Sequence, residues 1–118
     1  DIWCGEIVLD LKVQYPHIRL IACIPHIGQE KGWSEGYITR YRSLLQTADE
    51  NVVFYDHYVK GCMQKRNRYM VDATAHMIAV FNGSPGGTQS TIEFAKRKGL
   101  DIILLDPDRM VRKHLKNQ

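Results

Sequence analysis

The sequence predicts an α/β fold: a mostly parallel sheet with helices on both faces. Three observations carry that prediction. Short apolar runs alternate with longer segments of helical periodicity, and such alternation favours parallel pairing, because parallel neighbours need a crossover between them. The runs are almost continuously apolar, as strands covered on both faces are. Finally, the loop Asn82-Gly83-Ser84-Pro85-Gly86-Gly87-Thr88 joins one apolar run to the start of a helical segment. A strand that breaks into a Gly-rich turn and feeds a helix aims bare backbone N–H groups and the positive end of a helix dipole at one spot, where anions collect.

The elements follow in order along the chain. Ile2–Tyr15 reads as an amphipathic helix with Ile7, Val8 and Leu11 near one stripe, Asp1 as its N-cap and Pro16 ending it. Ile18–Ile24 is an apolar strand that stops at Pro25. Ser34 offers an N-cap for a helix reaching about Thr47, with Ile38, Tyr41, Leu44 and Leu45 at helical spacing; Tyr37 at the third position rules out a capping box. Asn51–Tyr55 is a short strand, and a helix over Met63–Ala75 follows Gly61, with Met63, Met70 and Val71 as core candidates. Met77–Phe81 is the next strand. Thr88–Lys98 is a helix with Ile92 and Ala95 inward and Gly99 as its C′ residue. Asp101–Leu105 is the last strand, closed by Asp106-Pro107, and the basic segment Arg109–Gln118 reads as a final helix. The chain opens on a helix, whereas doubly wound sheets begin with a strand and a phosphate-binding turn, so a first strand is expected to be missing.

Composition bounds the function. With 118 residues, 44% of them hydrophobic, the chain is one domain or most of one and can bury a sizeable core. A formal charge of +3 suits a phosphate ligand but falls short of a nucleic-acid footprint. Cys4, Cys23 and Cys62 lack Cys-x-x-Cys spacing, which argues for a reducing, cytoplasmic compartment rather than a disulfide framework. No apolar run approaches a membrane span, and no signal peptide is visible. The five histidines, His17, His26, His57, His76 and His114, show no metal-ligand spacing, so no metal is expected; His26, after Pro25 at a strand end, is the one best placed for a pocket. No Ser nucleophile elbow or Walker loop is present.

Four segments occur in an order that resembles a known group: Asp1-Ile2-Trp3, Gln29-Glu30-Lys31-Gly32-Trp33, Gln64-Lys65-Arg66-Asn67-Arg68-Tyr69-Met70-Val71-Asp72 and Pro85-Gly86-Gly87-Thr88. Together they resemble the bacterial YpsA family of the SLOG superfamily, which also holds the DprA/Smf and LOG proteins. The resemblance runs from Asp1 to about Pro107, and the Gln-Lys-Arg-Asn-Arg-Tyr-Met run is its most specific part. It implies a Rossmann-like sheet, a pocket at the strand C-terminal ends, and a nucleotide or nucleotide-derived ligand, bound as by a sensor or regulator. In the LOG branch, which hydrolyses the N-glycosidic bond of nucleoside monophosphates, an Arg stands four residues before a Met, as Arg66 and Met70 do here. The LOG loop Pro-Gly-Gly-x-Gly-Thr-x-Glu-Glu is only partly matched: aligned without a gap, Glu93 falls on the second Glu, Ile92 replaces the first and Gln89 stands for the third Gly. One carboxylate of the pair is missing, which puts hydrolysis in doubt and leaves binding intact.

Each candidate residue has a plain alternative. Gly86, Gly87 and Thr88 would cradle a phosphate, with Asn82 and Thr91 facing the same anion; Thr88 would equally serve as a simple N-cap. Arg66 would clamp a phosphate or carboxylate, although Lys65 and Arg68 also suit a solvated basic face. Asn67 would hydrogen-bond a base or ribose, or sit exposed. In a LOG-type reaction Arg66 and Glu93 would be the catalytic pair, Glu93 stabilising an oxocarbenium-like centre; alternatively Glu93 pairs with Arg97 on the surface. Trp3 and Trp33 would stack on a base, or pack as ordinary aromatics. Asp72 reads as a structural hydrogen-bonder. A DprA-like single-stranded DNA partner is a third reading, against which stand the mild charge and the lack of an aromatic-basic strip. An exposed sheet edge left by a missing strand would invite a homo-oligomer.

Overall fold

The computed structural model describes residues 1–116. Its elements run α1 (Ile2–Gln14), β1 (Ile21–Ile24), α2 (Glu35–Thr47), β2 (Glu50–Val53), α3 (Cys62–Asp72), β3 (His76–Val80), α4 (Gly87–Arg97), β4 (Asp101–Asp106) and β5 (Val111–Leu115). The α/β class is as expected, with parallel pairing of β1 with β2 and of β3 with β4. The strands form two sheets, β1-β2 and β3-β4-β5, and the chain divides into two compact units, Asp1–Cys62 and Met63–Gln118.

In the first unit, β1 and β2 pair from Ile21↔Glu50 to Ile24↔Val53. The loops that leave their C-terminal ends stay zipped together: the Phe54 N–H donates to the Ile24 carbonyl and the Ile27 N–H to the Tyr55 carbonyl, each at 3.0 Å. Ser34 caps α2 as predicted, accepting from the Tyr37 N–H, and α2 buries Tyr41 and Leu44 with Ile38 and Leu45 half-buried. The α1 reading needs correction. Asp1 holds the N-cap position but its side chain makes no cap bond, and Ile7 and Leu11 are exposed. The covered face runs instead through Gly5, Val8, Leu9 and Lys12. This helix is apolar nearly all round, so periodicity selects no face; Gly5 does, because a Cβ there would push against the Leu44 methyls. A Cβ there would stand 2.8 Å from Leu44 Cδ2. Gly5→Val is therefore expected to destabilise by about 1–3 kcal/mol in urea unfolding, overpacking outweighing the helix propensity gained. An unchanged or raised midpoint would show that Leu44 yields freely.

Ion pairs fasten this unit at its surface. Arg40 on α2 holds both oxygens of Glu6 on α1, and Lys12 holds Asp49, whose other oxygen accepts the Leu20 N–H at 2.7 Å. In the second unit Arg109 donates to Asp106 at 2.8 Å. The hydrogen bond from Arg40 lowers the Glu6 pKa; those from Lys12 and Leu20 lower that of Asp49; those from Arg109 lower that of Asp106. Each carboxyl thus binds its proton less readily folded than unfolded, so its stabilisation is present above about pH 4 and is lost as pH falls through the lowered folded value. Urea midpoints are expected to hold between pH 7 and 5 and to fall below about pH 4, the acid slope shrinking in Glu6→Gln; a slope that is the same in both proteins would remove Glu6 from the account.

The second unit is a three-stranded sheet in which β4 pairs with β3 in parallel and with β5 antiparallel. Val71 of α3, Ala95 of α4, Leu100 and Ile102 form its core, with Met77, Phe94, Leu104 and Leu115 packed against them. Both helices therefore meet one face of this sheet, and Ile78 and Val80 on the opposite face of β3 are exposed. Helix α4 ends as foreseen. Gly99, at φ +77°, is its C′ residue: its N–H reaches the Lys96 carbonyl and the Leu100 N–H reaches that of Ala95, a Schellman closure with Leu100 and Ala95 in one core.

Two expectations here are corrected. On α3 the covered residues are Cys62, Arg66, Asn67 and Val71, whereas Met63 and Met70 are exposed, because the row of α3 facing inward turns polar beside the loop before α4. The basic C-terminal segment forms a turn and then the strand Val111–Leu115, not a helix; Asn117 and Gln118 lie outside the described residues. Asp106 builds the turn into it, its Oδ1 accepting the N–H groups of Asp108 and Arg109, with Met110 at φ +54° completing the reversal.

Candidate functional site

The loop between β3 and α4 forms one wall of an open pocket of about 340 Å³, lined by Val80, Phe81, Asn82, Ser84, Pro85, Gly86, Gly87, Thr88 and Pro107. The pocket lies at the C-terminal ends of β3 and β4, where loops leave a parallel sheet and ligands of such folds settle. Gly86 stands at φ +149° and ψ −161°, a backbone conformation essentially closed to residues with a Cβ. It is the N-cap of α4, and no side chain caps the helix there. The first-turn N–H groups and the dipole of α4 therefore open onto a surface that no side chain fills.

The rim is held by side chains. Asn82 donates through Nδ2 to Asp108 at 2.8 Å and accepts the Ser84 N–H on Oδ1 at 3.0 Å. Arg109 donates to the Asn82 carbonyl at 3.3 Å while gripping Asp106. Asn82 thus lines the pocket, with its amide engaged in shaping the loop.

A hydrogen-bonded row links α3 to the start of α4. Arg66 Nε donates to Asn67 Oδ1 at 2.8 Å, Asn67 Nδ2 donates to Thr91 Oγ1 at 3.1 Å, and the Thr91 hydroxyl donates to the Gly87 carbonyl at 2.9 Å. The structure accordingly brings Arg66, Asn67, Thr91 and Gly87 together. Glu93 lies elsewhere. It is exposed, and its carboxylate pairs with Lys96 at 3.3 Å rather than with Arg97; like Arg66, Asn67 and Thr91, it is absent from the pocket lining. Thr91 and Glu93 are two residues apart on one helix and face nearly opposite ways, so Glu93 turns from the face that meets Asn67. Asp72 pairs with Lys98 at 3.4 Å, in keeping with a structural role.

Trp3 and Trp33 belong to the first unit. Trp3 is 68% exposed on α1, and Trp33 packs edge-to-face on Tyr41 with centroids 5.2 Å apart while keeping part of its ring in solvent. His26 is buried; its Nδ1 lies 3.0 Å from the Ile27 carbonyl, so that nitrogen carries the proton, and its ring meets Tyr58 edge-on.

One residue escaped the sequence reading. Glu30, in the loop after β1, has a buried Oε1 without a hydrogen-bond partner among the described residues, and Arg42 reaches only its other oxygen, at 4.0 Å. A buried acceptor left unmet costs about 1–3 kcal/mol, so this carboxylate suits a donor such as a hydroxyl or an amine. The available signal was the placing of an acid between Gly28 and Gly32, both at positive φ, in the loop that follows β1.

The strand–glycine loop–helix unit and parallel pairing define the class: an α/β protein with a glycine-rich loop at its strand ends. The chain belongs to the YpsA family of SLOG proteins, for the sequence model described as the YspA SLOG family matches residues 1–110. It is 38% identical over 120 residues to the uncharacterised SPbeta prophage-derived protein YoqJ of Bacillus subtilis (strain 168), covering 90% of this chain and 68% of that one. It is also 26% identical over 102 residues to UPF0398 proteins of Bacillus thuringiensis (strain Al Hakam) and Bacillus cereus (strain Q1), covering 84% of this chain. It spans 55% of the length of those two relatives. Among the described residues no helix is long and apolar enough to cross a membrane.

Proposed function

We propose that the chain binds a nucleotide-type small molecule by its phosphate, as a sensor or regulator rather than as a hydrolase. One observation supports this above the others: the glycine-only backbone at Gly86 opens the uncapped start of α4 onto the pocket. A loop that merely joined a strand to a helix would need no such conformation, and Ser, Thr, Asp or Asn would cap the helix better. Glycines without a Cβ let an anion approach the backbone, and the Thr88 hydroxyl adds a donor. Hydrolysis of an N-glycosidic bond needs a carboxylate beside the sugar. Glu93 faces away from the relay and is paired with Lys96, which favours binding over turnover.

Calorimetry with AMP, adenosine and ADP-ribose tests the reading. AMP is expected to bind at least about tenfold more tightly than adenosine, a difference of about 1.4 kcal/mol carried by the phosphate, with no release of adenine. Equal affinity for AMP and adenosine, or heat from neither, overturns the phosphate assignment. Release of free adenine would replace the sensor by an enzyme.

A further inference from the structure

Resting on that reading of the site, we propose that Asn67 is a positioning residue, which fixes the Arg66 guanidinium to the first turn of α4, rather than a ligand contact. The donors and acceptors permit one direction only. Arg66 Nε can donate and never accept, so the atom of Asn67 at 2.8 Å must be its oxygen. That sets the Asn67 amide nitrogen toward Thr91 Oγ1. Thr91 has a single hydroxyl proton, which goes to the Gly87 carbonyl, and its oxygen therefore accepts from Asn67. Each member consumes the polarity the next one supplies, so the row runs from Arg66 to Gly87 without a free choice of rotamer or amide orientation.

The consequence is mechanical. Gly87 is the first residue of α4 and follows Gly86, the strained residue of the cradle. Asn67 is half-buried on α3 and spends both ends of its amide on protein partners. It thereby holds a cation of α3 in register with the backbone that receives the phosphate. A ligand anion that tightens the start of α4 orders Arg66 through the same row, and loss of Asn67 removes the acceptor that holds the Arg66 Nε–H.

Two readouts test this, one of them without ligand. In 15N NMR the Arg66 Nε–H of the parent chain is expected to give a sharp, slowly exchanging signal. Asn67→Ala should broaden it or speed its exchange, whereas Asn67→Asp, which keeps an acceptor for Arg66, should restore it. In AMP titrations Asn67→Ala should weaken binding several-fold in the parent and cause no further loss in the Arg66→Ala background. A signal unaffected by Asn67→Ala overturns the positioning role. Losses that multiply in the double variant overturn it too, because Asn67 would then touch the ligand itself. A parent chain that binds no AMP while its Arg66 signal obeys the expected pattern overturns the site reading and the functional half of the proposal, so the two failures are distinguishable.

Discussion

Gly86→Ala is expected to destabilise the second unit by about 1–3 kcal/mol and to cost at least tenfold in AMP affinity. The cause is conformational. An added Cβ would meet nothing within 4 Å, but the backbone at φ +149° and ψ −161° is one that L side chains rarely adopt. The chain must either hold alanine in that region or let the loop relax, and relaxation withdraws the first N–H groups of α4 from the pocket. Gly87→Ala supplies the contrast one residue on. Its Cβ also meets nothing within 4 Å, yet Gly87 is helical, so alanine gains about 0.4–1 kcal/mol, chiefly by restricting the unfolded chain. Opposite signs in the urea midpoints of the two variants are the expected outcome. Two variants of equal stability would mean that the Gly86 conformation is not needed for the fold, and an unchanged AMP affinity would remove the cradle from the site.

Ile102→Ala is expected to remove about 2–5 kcal/mol, the lost transfer energy together with the cavity left behind. Ile102 is fully buried in β4, beside Val71, Ala95 and Leu100, and its strand neighbours are Met77 on one side and Leu115 on the other. One change therefore loosens both pairings of the central strand. Natural domains are stable by only about 5–15 kcal/mol, so this variant approaches the limit of folding. Amide hydrogen exchange is expected to accelerate across β3, β4 and β5, and with it the ordered start of α4 should loosen. Exchange that stays slow in β4 would show that neighbouring side chains fill the gap.

Where the chain's chemistry is local, the sequence showed it. Ser34 lies before a helical period and caps α2, Gly99 follows one and closes α4, and the loop from Asn82 to Thr88 reads as a turn into a helix and is one. Such features depend on a few neighbouring residues, whose φ preferences and short side chains act regardless of what surrounds them. The misread elements are those where neighbours far along the chain decide. Ile7 and Leu11 look like a buried stripe, but α1 offers apolar residues on every side, and contact of Gly5 with Leu44 turned it. Met63 and Met70 look like core, but α3 turns Arg66 and Asn67 inward, toward Thr91 on α4. The final basic segment carries no strong strand pattern; pairing with β4 made it one.

The candidate site divides in the same way. By itself the sequence determined the class of fold, the glycine-rich strand-to-helix loop and the family to which those motifs belong, since each rests on short runs of neighbouring residues. Only the tertiary structure decided which polar residues act together. Asn67 and Thr91, 24 residues apart, meet because α3 and α4 pack on one face of the same sheet. Glu93, two residues past Thr91, is turned away by the pitch of the helix and held by Lys96. Glu30 shows its unmet oxygen only when the loop after β1 is folded around it. Side chains far apart in sequence are joined by packing, and packing follows from burial of the core, which no local spacing encodes.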